Sequence, residues 1–339
     1  MSEGGVDHEF LNDILRITTK IIICIGHFIK YYAATIPIFA ILSTRQETKI
    51  WKSTPAPLTT FGILKVFLFN IFWMGITLIG TIALLPMWTM RGFGSSVEVE
   101  ANLVIEKLTA KAIHNGLIGP VKIINPHNLP PIKLHNPDSP APIYIANHCS
   151  QLDVSAVYFA LRRFKWIAKE STMYLPGAGN IMKLSGHIFI RRTGKNSKSK
   201  SNLYQESNDT IQNGVPMMFF PQGTRCMSEK RQFKDGAFKI AIENEAVLVP
   251  MSIQVPLNAW NSFYPLTKLW GGAGKDGDDL NQEKIVTITV HDPIVVKRYT
   301  DMEELKNKCE DIIYSALPPL YHGSQDKGKN GADKAKKSK

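Results

Sequence analysis

The chain has 339 residues, of which 44% are hydrophobic and 20% are charged. This composition excludes a disordered chain, and the length suits one catalytic-sized domain with an appendage. The formal net charge of +11 indicates an anionic surface or substrate, but it does not choose among nucleic acid, phospholipid and a phosphorylated metabolite. The four cysteines are scattered without C-x-x-C pairs, which indicates neither a disulfide framework nor a zinc site.

Two apolar segments near the start predict a membrane region. Residues 66–88 are apolar apart from one Asn and two Thr, and they are long enough to span a bilayer. A His and a Lys interrupt residues 21–42, so this second segment either crosses the membrane or dips into its interface. The linker between the segments holds basic residues that favour the cytosolic side: Arg45, Lys49 and Lys52. We therefore expect a helical membrane hairpin within residues 1–96.

Strands alternate with helices from about Ala101, and this alternation predicts an α/β domain over residues 97–322. We expect strands at 121–124, 143–146, 164–168, 187–190, 217–220, 248–254 and 285–291. We expect helices up to 114 and at 151–161, 200–212, 237–244 and 302–315. The Lys-rich stretch 323–339 has too few apolar residues to pack, and we expect it to be a disordered tail.

A histidine and an aspartate lie at the turn after the second predicted strand. Asn147 and His148 follow that strand directly, and a helix is expected to begin near Ser150 with Asp153 in its first turn. The imidazole can accept a proton from an alcohol, while the carboxylate fixes its tautomer. Ser150-x-x-Asp153 is also the pattern of a helix capping box, and the pair taken alone is more typical of a cap.

Other predicted strands also end in polar or basic residues. The turn after 217–220 reads Pro221-Gln222-Gly223-Thr224-Arg225. In it Gly223 lets the backbone approach a ligand, Thr224 offers a hydroxyl and Arg225 offers a planar fork that suits phosphate. Basic residues end two further strands: Lys169, Arg191 and Arg192. Ligands bind at the carboxyl ends of strands in α/β sheets, although each feature alone is typical of a surface turn.

Together and in this order, these features resemble the glycerolipid acyltransferase superfamily, in particular its 1-acyl-sn-glycerol-3-phosphate acyltransferases. The resemblance covers about residues 143–250 and rests on N-H-x-x-x-x-D at 147–153 and F-P-Q-G-T-R at 220–225, behind a membrane segment. It implies an α/β fold with a mixed sheet flanked by helices and an N-terminal membrane hairpin.

The resemblance also implies the roles of individual residues. His148 would be the general base and Asp153 the acid that orients it, without a metal ion. Substrate-binding positions would be Asn147, Lys169, Gly186, Arg191, Arg192, Gln222, Gly223, Thr224 and Arg225. The family usually has Glu at the position of Gln222, where an amide could still bond a glycerol hydroxyl. We expect oxyanion donors from backbone N–H groups near Gly223 or at the start of the helix after Ser150.

The implied reaction transfers an acyl chain from acyl-CoA or acyl carrier protein to the sn-2 hydroxyl of 1-acyl-sn-glycerol 3-phosphate. No cofactor is needed, and an acyl-enzyme on Cys149 is disfavoured because its side chain and that of the adjacent His148 point to opposite faces. The expected partners are the lipid substrate, the acyl thioester and a membrane, with no nucleic acid and no indication of oligomeric state. Two alternatives stay open, namely another acceptor such as glycerol 3-phosphate or a different lysophospholipid, and a catalytically silent lipid-binding membrane protein.

Two lysines close to residue 339 bear on the cellular compartment. Lys336 and Lys337 resemble a dilysine signal for the endoplasmic reticulum, which would leave the catalytic domain on the cytosolic side. A plastid membrane is the alternative, because the double Arg at 191–192 looks like some plastid-type members of the family.

Overall fold

The sheet and its helices appear in a computed structural model that describes residues 8–91, 98–99, 101–131, 140–191, 197–263, 285–299 and 301–323. The strands are β1 (Val121–Ile124), β2 (Ile143–Ala146), β3 (Lys165–Lys169), β4 (Ile188–Ile190), β5 (Met217–Phe219), β6 (Leu248–Gln254) and β7 (Val286–Val290). The helices are α1 (His8–Ala33), α2 (Ile36–Trp51), α3 (Thr60–Arg91), α4 (Lys107–Ile113), α5 (Gln151–Ala160), α6 (Ala178–Leu184), α7 (Ser197–Gln212), α8 (Gly236–Glu243), α9 (Asn258–Asn261) and α10 (Met302–Ser315).

The described strands form one mixed sheet of seven, in the order β1-β7-β6-β2-β5-β3-β4. Only the β6–β7 pair in this sheet is antiparallel. The strands β2, β5, β3 and β4 are neighbours and run in the same direction, so their carboxyl ends share one edge. The residues that follow these four strands therefore lie along that edge, as the sequence motifs require.

The centre of the sheet is a buried hydrophobic core. All four residues of β2 are buried, which is typical of a parallel strand covered on both faces. Leu152, Ala156 and Val157 bury one face of α5 in the same core. The turn between β2 and α5 is thus held at both ends by buried elements.

The strand predictions are confirmed at every position, with bounds that differ by at most one residue. The helix predicted at 200–212 begins three residues earlier, at Ser197. The predicted domain boundaries stay predictions. Residues 92–97 and 324–339, which contain the first boundary and almost all of the predicted tail, lie outside the described residues.

The N-terminal helices are longer than the apolar segments predicted. A short break at Ala34 and Thr35 separates α1 from α2, and α2 packs along α3. The prediction of a linker around Arg45 and Lys49 is wrong, because α2 continues to Trp51. The buried positions of α2 have helical spacing: Ile36, Ala40, Thr44, Glu47 and Trp51. An average over hydropathy misses such a helix because its other face is basic.

Two stretches of these helices are long and apolar enough to cross a membrane, judged by length and composition. They are Leu15–Trp51 and Thr60–Met90, and in their most apolar windows 6% and 39% of the residues are buried. Large apolar side chains on α1, such as Ile22 and Phe28, are 63% and 69% exposed. Exposed apolar surface of this extent is typical of contact with lipid or another protein.

Candidate active site

His148 and Asp153 meet across the turn between β2 and α5. The distance from His148 Nδ1 to Asp153 Oδ2 is 2.8 Å, with the histidine side chain 15% exposed and the aspartate fully buried. A carboxylate accepts hydrogen bonds and does not donate them, so Nδ1 carries the proton. The basic nitrogen of the ring is therefore Nε2, on the side away from Asp153.

The same carboxylate caps the helix that follows. Ser150 is the N-cap of α5, and its Oγ accepts a hydrogen bond from Leu152 N at 3.0 Å. Asp153 Oδ2 accepts from Ser150 N at 2.9 Å and from Cys149 N, in addition to the imidazole. Capping box and dyad are thus a single arrangement, in which the cap fixes the oxygen that faces His148.

The turn after β5 holds His148 from a second side. The rings of His148 and Phe220 are stacked, with centroids 4.0 Å apart and an interplanar angle of 3°. Cys226 N donates to His148 O at 2.7 Å, and His148 N donates to Gln222 Oε1 at 2.5 Å. The plane of the imidazole and the backbone beneath it are both fixed by contacts from this turn.

Gln222 acts inside the protein and not at its surface. Its side chain is buried, and its Nε2 donates to the Tyr314 hydroxyl at 2.6 Å. One end of the amide thus bonds α10 and the other end bonds the backbone of His148. Sequence reasoning assigned Gln222 to a substrate hydroxyl and missed Tyr314, whereas in the structure this amide joins α10 to the turn that carries His148.

Arg225 is paired with an acidic residue from the N-terminal helices. Its Nη1 lies against Glu47 Oε2 of α2, and the two side chains are 14% and 0% exposed. Glu47 Oε1 accepts from Gln151 N at 3.1 Å and from Trp51 Nε1 at 3.3 Å. Sequence reasoning missed Glu47. A signal was available, because the sequence has no other acidic residue from 14 to 97.

The other predicted cations lie at the same sheet edge. Lys169 ends β3 and is exposed. Arg191 follows β4 and is 60% exposed, and it makes two 2.8 Å hydrogen bonds to the Glu170 carboxylate. Arg192 lies outside the described residues. The described cations thus follow β3, β4 and β5 at the sheet edge where His148 follows β2.

Asn147 occupies a buried position behind the dyad. Its Nδ2 donates to Ile253 O at 2.8 Å, and its Oδ1 accepts from Ile253 N at 2.7 Å. The side chain thus bonds β6 as a backbone segment would, and it fastens the end of β2 to the sheet.

The predicted glycines lie at different places. Gly223 has φ 70°, in the left-handed region that favours glycine, and the nearest atoms to a Cβ there would be the flexible end of the Lys234 side chain. Thr224, the next residue, is exposed at the site. Gly186 has φ 67° but precedes β4 and lies beside Lys165, the first residue of β3. The structure therefore does not bring Gly186 to the edge that carries His148.

Comparison with known proteins shows what this part of the chain is similar to. Residues 120–254 match the family model described as Acyltransferase. The chain is 34% identical over 205 residues to a 1-acyl-sn-glycerol-3-phosphate acyltransferase of Chlamydomonas reinhardtii, covering 60% of this chain and 55% of the relative. It is 27% identical over 192 residues to human 1-acyl-sn-glycerol-3-phosphate acyltransferase beta, covering 56% and 63%. The chain thus spans less than two thirds of these curated relatives.

A solved structure shares the fold. The crystal structure of the 1-acyl-sn-glycerophosphate acyltransferase PlsC from Thermotoga maritima matches with a TM-score of 0.53 and 20% identity, covering 75% of this chain and 92% of that chain. The predicted fold class, a mixed sheet flanked by helices, is therefore confirmed.

Two cysteines within residues 120–254 are poor nucleophiles. Burial raises the pKa of the Cys149 thiol well above its usual range, and the nearby Asp153 charge raises it further. Burial also raises the pKa of Cys226. A thiolate is the reactive form, so both side chains are held in the unreactive thiol form. In the part of the chain that the structure describes, no three His, Cys, Asp or Glu residues are grouped to hold a metal ion.

Several of the backbone N–H groups expected to stabilise an oxyanion already bond acceptors within the protein. At the start of α5 they bond Asp153, Glu47 and Ser150 Oγ. Gly223 N donates to Phe220 O at 2.9 Å. The helix cap therefore satisfies the N–H groups at the start of α5, whereas the expectation of oxyanion donors from the backbone near Gly223 stays a prediction.

Proposed function

We propose that this protein transfers an acyl chain from an acyl thioester to the sn-2 hydroxyl of 1-acyl-sn-glycerol 3-phosphate, giving phosphatidic acid. The dyad carries the proposal, because its basic nitrogen faces away from a fully buried carboxylate at the edge that also holds Arg225. Relatives that bear the name of this activity support the choice of acceptor.

In the proposed reaction, His148 Nε2 accepts the proton of the sn-2 hydroxyl while that oxygen attacks the thioester carbonyl. A C–O bond forms, the C–S bond of the tetrahedral intermediate breaks, and the imidazolium returns its proton to the leaving thiolate. Asp153 stabilises the imidazolium through Nδ1, and the stacked Phe220 ring keeps the ring plane fixed. The donor is acyl-CoA or acyl carrier protein, and we propose no cofactor.

The phosphate of the acceptor would bind the cations of the same edge. Arg225 lies beside the dyad, while Lys169 and Arg191 end the neighbouring strands. A phosphate between them fixes the glycerol backbone, and such positioning lowers the entropic part of the barrier.

We further propose that α1 to α3 anchor the domain in a membrane, which gives lipid acceptors direct access. The exposed apolar surface of α1 and the two stretches long enough to span a bilayer support this placement. The endoplasmic reticulum with a cytosolic domain is the proposed compartment and a plastid membrane the alternative. Cell fractionation of the intact chain and of the Lys336→Ala/Lys337→Ala variant tests the dilysine signal.

A matrix of acyl donors and acceptors, assayed with the purified protein in detergent, tests the function. We expect the highest kcat/KM with 1-acyl-sn-glycerol 3-phosphate. A higher kcat/KM with glycerol 3-phosphate or another lysophospholipid would identify that compound as the acceptor instead. Lipid binding without release of the donor thiol would instead identify a silent lipid-binding protein.

A further inference from the structure

Glu47 is a buried acidic residue that the proposed reaction does not use. It belongs to α2, outside the matched acyltransferase domain, yet its carboxylate lies at the start of α5 in the active site. Uncompensated burial of a carboxylate is costly, so a carboxylate with no exposed area has to be paired. Its partner is Arg225, which precedes Cys226, the residue whose N–H bonds His148 O.

The contacts of Glu47 show that the carboxylate is held in place. Oε1 accepts two hydrogen bonds, from Gln151 N at 3.1 Å and from Trp51 Nε1 at 3.3 Å, and Oε2 bonds Arg225. A carboxylate fixed by three donors and closed to solvent cannot swing away when a ligand arrives. It can therefore serve as a fixed reference point for the guanidinium group.

Arg225 and Arg191 are held to different degrees. Arg191 is 60% exposed and pairs with Glu170 at the surface, where ion pairs fix a side chain weakly. Arg225 is 14% exposed and pairs with a fully buried acid. A guanidinium group has five N–H donors. Among the described residues, the hydrogen bond from Arg225 to Glu47 uses one of these donors, at Nη1. The remaining donors suit a phosphate.

We propose that Glu47 is a positioning residue that orients Arg225 toward the phosphate of the acceptor. The inference rests on the proposed function, and it makes α2 part of the acceptor site as well as of the membrane hairpin. Because Glu47 acts through Arg225, it affects recognition of phosphorylated acceptors and leaves the dyad chemistry unchanged.

The Glu47→Gln variant tests this role. An amide of the same size keeps an oxygen for Gln151 N and Trp51, but it turns an N–H group toward Arg225 Nη1, so the pair is lost. We expect KM for 1-acyl-sn-glycerol 3-phosphate to rise about tenfold, as when one charge-assisted hydrogen bond is misaligned. We expect unchanged kcat, unchanged KM for the acyl donor and unchanged activity with an uncharged 1-acylglycerol.

The matched control is Glu243→Gln, which removes a surface pair with Lys239 at 3.8 Å on α8. It should leave every kinetic constant unchanged. Glu47→Asp keeps the charge on a shorter side chain and should give an intermediate KM, which provides a second variant if Glu47→Gln does not fold. Thermal unfolding of each purified variant checks that it is folded.

A double-mutant cycle separates positioning from a structural role. If Glu47 acts through Arg225, then Glu47→Gln adds no further increase in KM to that of Arg225→Ala. The inference would be overturned if the increases in KM of the two single variants multiplied in the double variant. It would also be overturned if Glu47→Gln lowered KM, or if it lowered kcat by as much as it raised KM. If Arg225→Ala raises KM but Glu47→Gln does not, this inference alone fails. If the wild-type protein acylates no phosphorylated acceptor, the proposed function fails and the inference falls with it.

Discussion

Replacing Asp153 by asparagine would remove the charge of the dyad while keeping its geometry. Asp153 Oδ2 accepts from His148 Nδ1 at 2.8 Å, from Ser150 N at 2.9 Å and from Cys149 N. Backbone N–H groups require an acceptor, so the asparagine oxygen has to occupy this place. The imidazole then keeps its tautomer. In triads where the substituted amide enforces the wrong tautomer, kcat falls about 10⁴-fold, and we expect a much smaller fall in kcat here.

The magnitude follows from the two positions of the amide. A neutral acceptor in place of a carboxylate weakens the bond to the imidazolium by about 1 to 2 kcal/mol, which lowers kcat roughly 5- to 30-fold. The new NH₂ group takes the place of Oδ1, which is buried and has no hydrogen-bond partner among the described residues. An unsatisfied donor there lowers the free energy of unfolding by about 1 to 3 kcal/mol.

The assay is the initial rate of phosphatidic acid formation as a function of pH, with thermal unfolding measured in parallel. The acid limb of the rate profile should move to lower pH, because an amide stabilises the imidazolium less than a carboxylate does. The Asp153→Ala variant loses the cap as well, and it should be less active and less stable than Asp153→Asn. A loss near 10⁴-fold in the Asn variant, or no loss at all, would refute the reasoning.

Three further predictions concern Phe220, Cys149 and His114. Phe220→Leu removes the ring stacked on His148, so kcat should fall roughly 2- to 10-fold at constant KM, as steady-state kinetics would measure. Cys149→Ala should keep kcat within about twofold. The raised pKa holds the thiol protonated, and the hydrogen bond from residue 149 to Asp153 is donated by the backbone N–H, which alanine retains. Burial lowers the pKa of His114 from 6.5 to about 4, so the unfolded chain binds a proton in that pH range and the folded protein does not. As the pH is lowered from 6.5 to about 4, the free energy of unfolding should therefore fall by up to about 1.4 kcal/mol per pH unit. His114→Gln should flatten this dependence in thermal unfolding.

Each of these predictions has an outcome that contradicts it. Wild-type kcat in Phe220→Leu would show that stacking does not orient the imidazole. A Cys149→Ala protein that is folded but inactive would instead support a mechanism through an acyl-enzyme on Cys149. An unchanged acid dependence in His114→Gln would assign the loss of stability to other groups. Glu243→Gln serves again as the control, because its ion pair is at the surface.

The parts of the site that depend on nearby residues could be predicted from the sequence. His148 and Asp153 are five positions apart, and a strand followed by a capped helix brings them together locally. The parallel order of β2, β5, β3 and β4 then places Arg225, Lys169 and Arg191 along one edge. These positions follow from strand pattern and from the position of each residue after its strand.

The parts that depend on distant contacts could not be predicted. Arg225 and Glu47 are 178 positions apart, and Gln222 and Tyr314 are 92 apart. Neither pair follows from local pattern, since each requires knowledge of which helix packs beside the catalytic turns. Gly186 shows the converse case, because its motif position suggested the site while its left-handed φ serves a turn at the other edge of the sheet.

The most direct test of the account is the rate of acyl transfer by purified His148→Ala protein. Product formation from 1-acyl-sn-glycerol 3-phosphate and acyl-CoA, at saturating concentrations of both, should fall at least about 100-fold below that of the wild-type protein. The folded state, checked by thermal unfolding, should be retained. A His148→Ala protein that forms phosphatidic acid at the wild-type rate would contradict the assignment of His148 as the base.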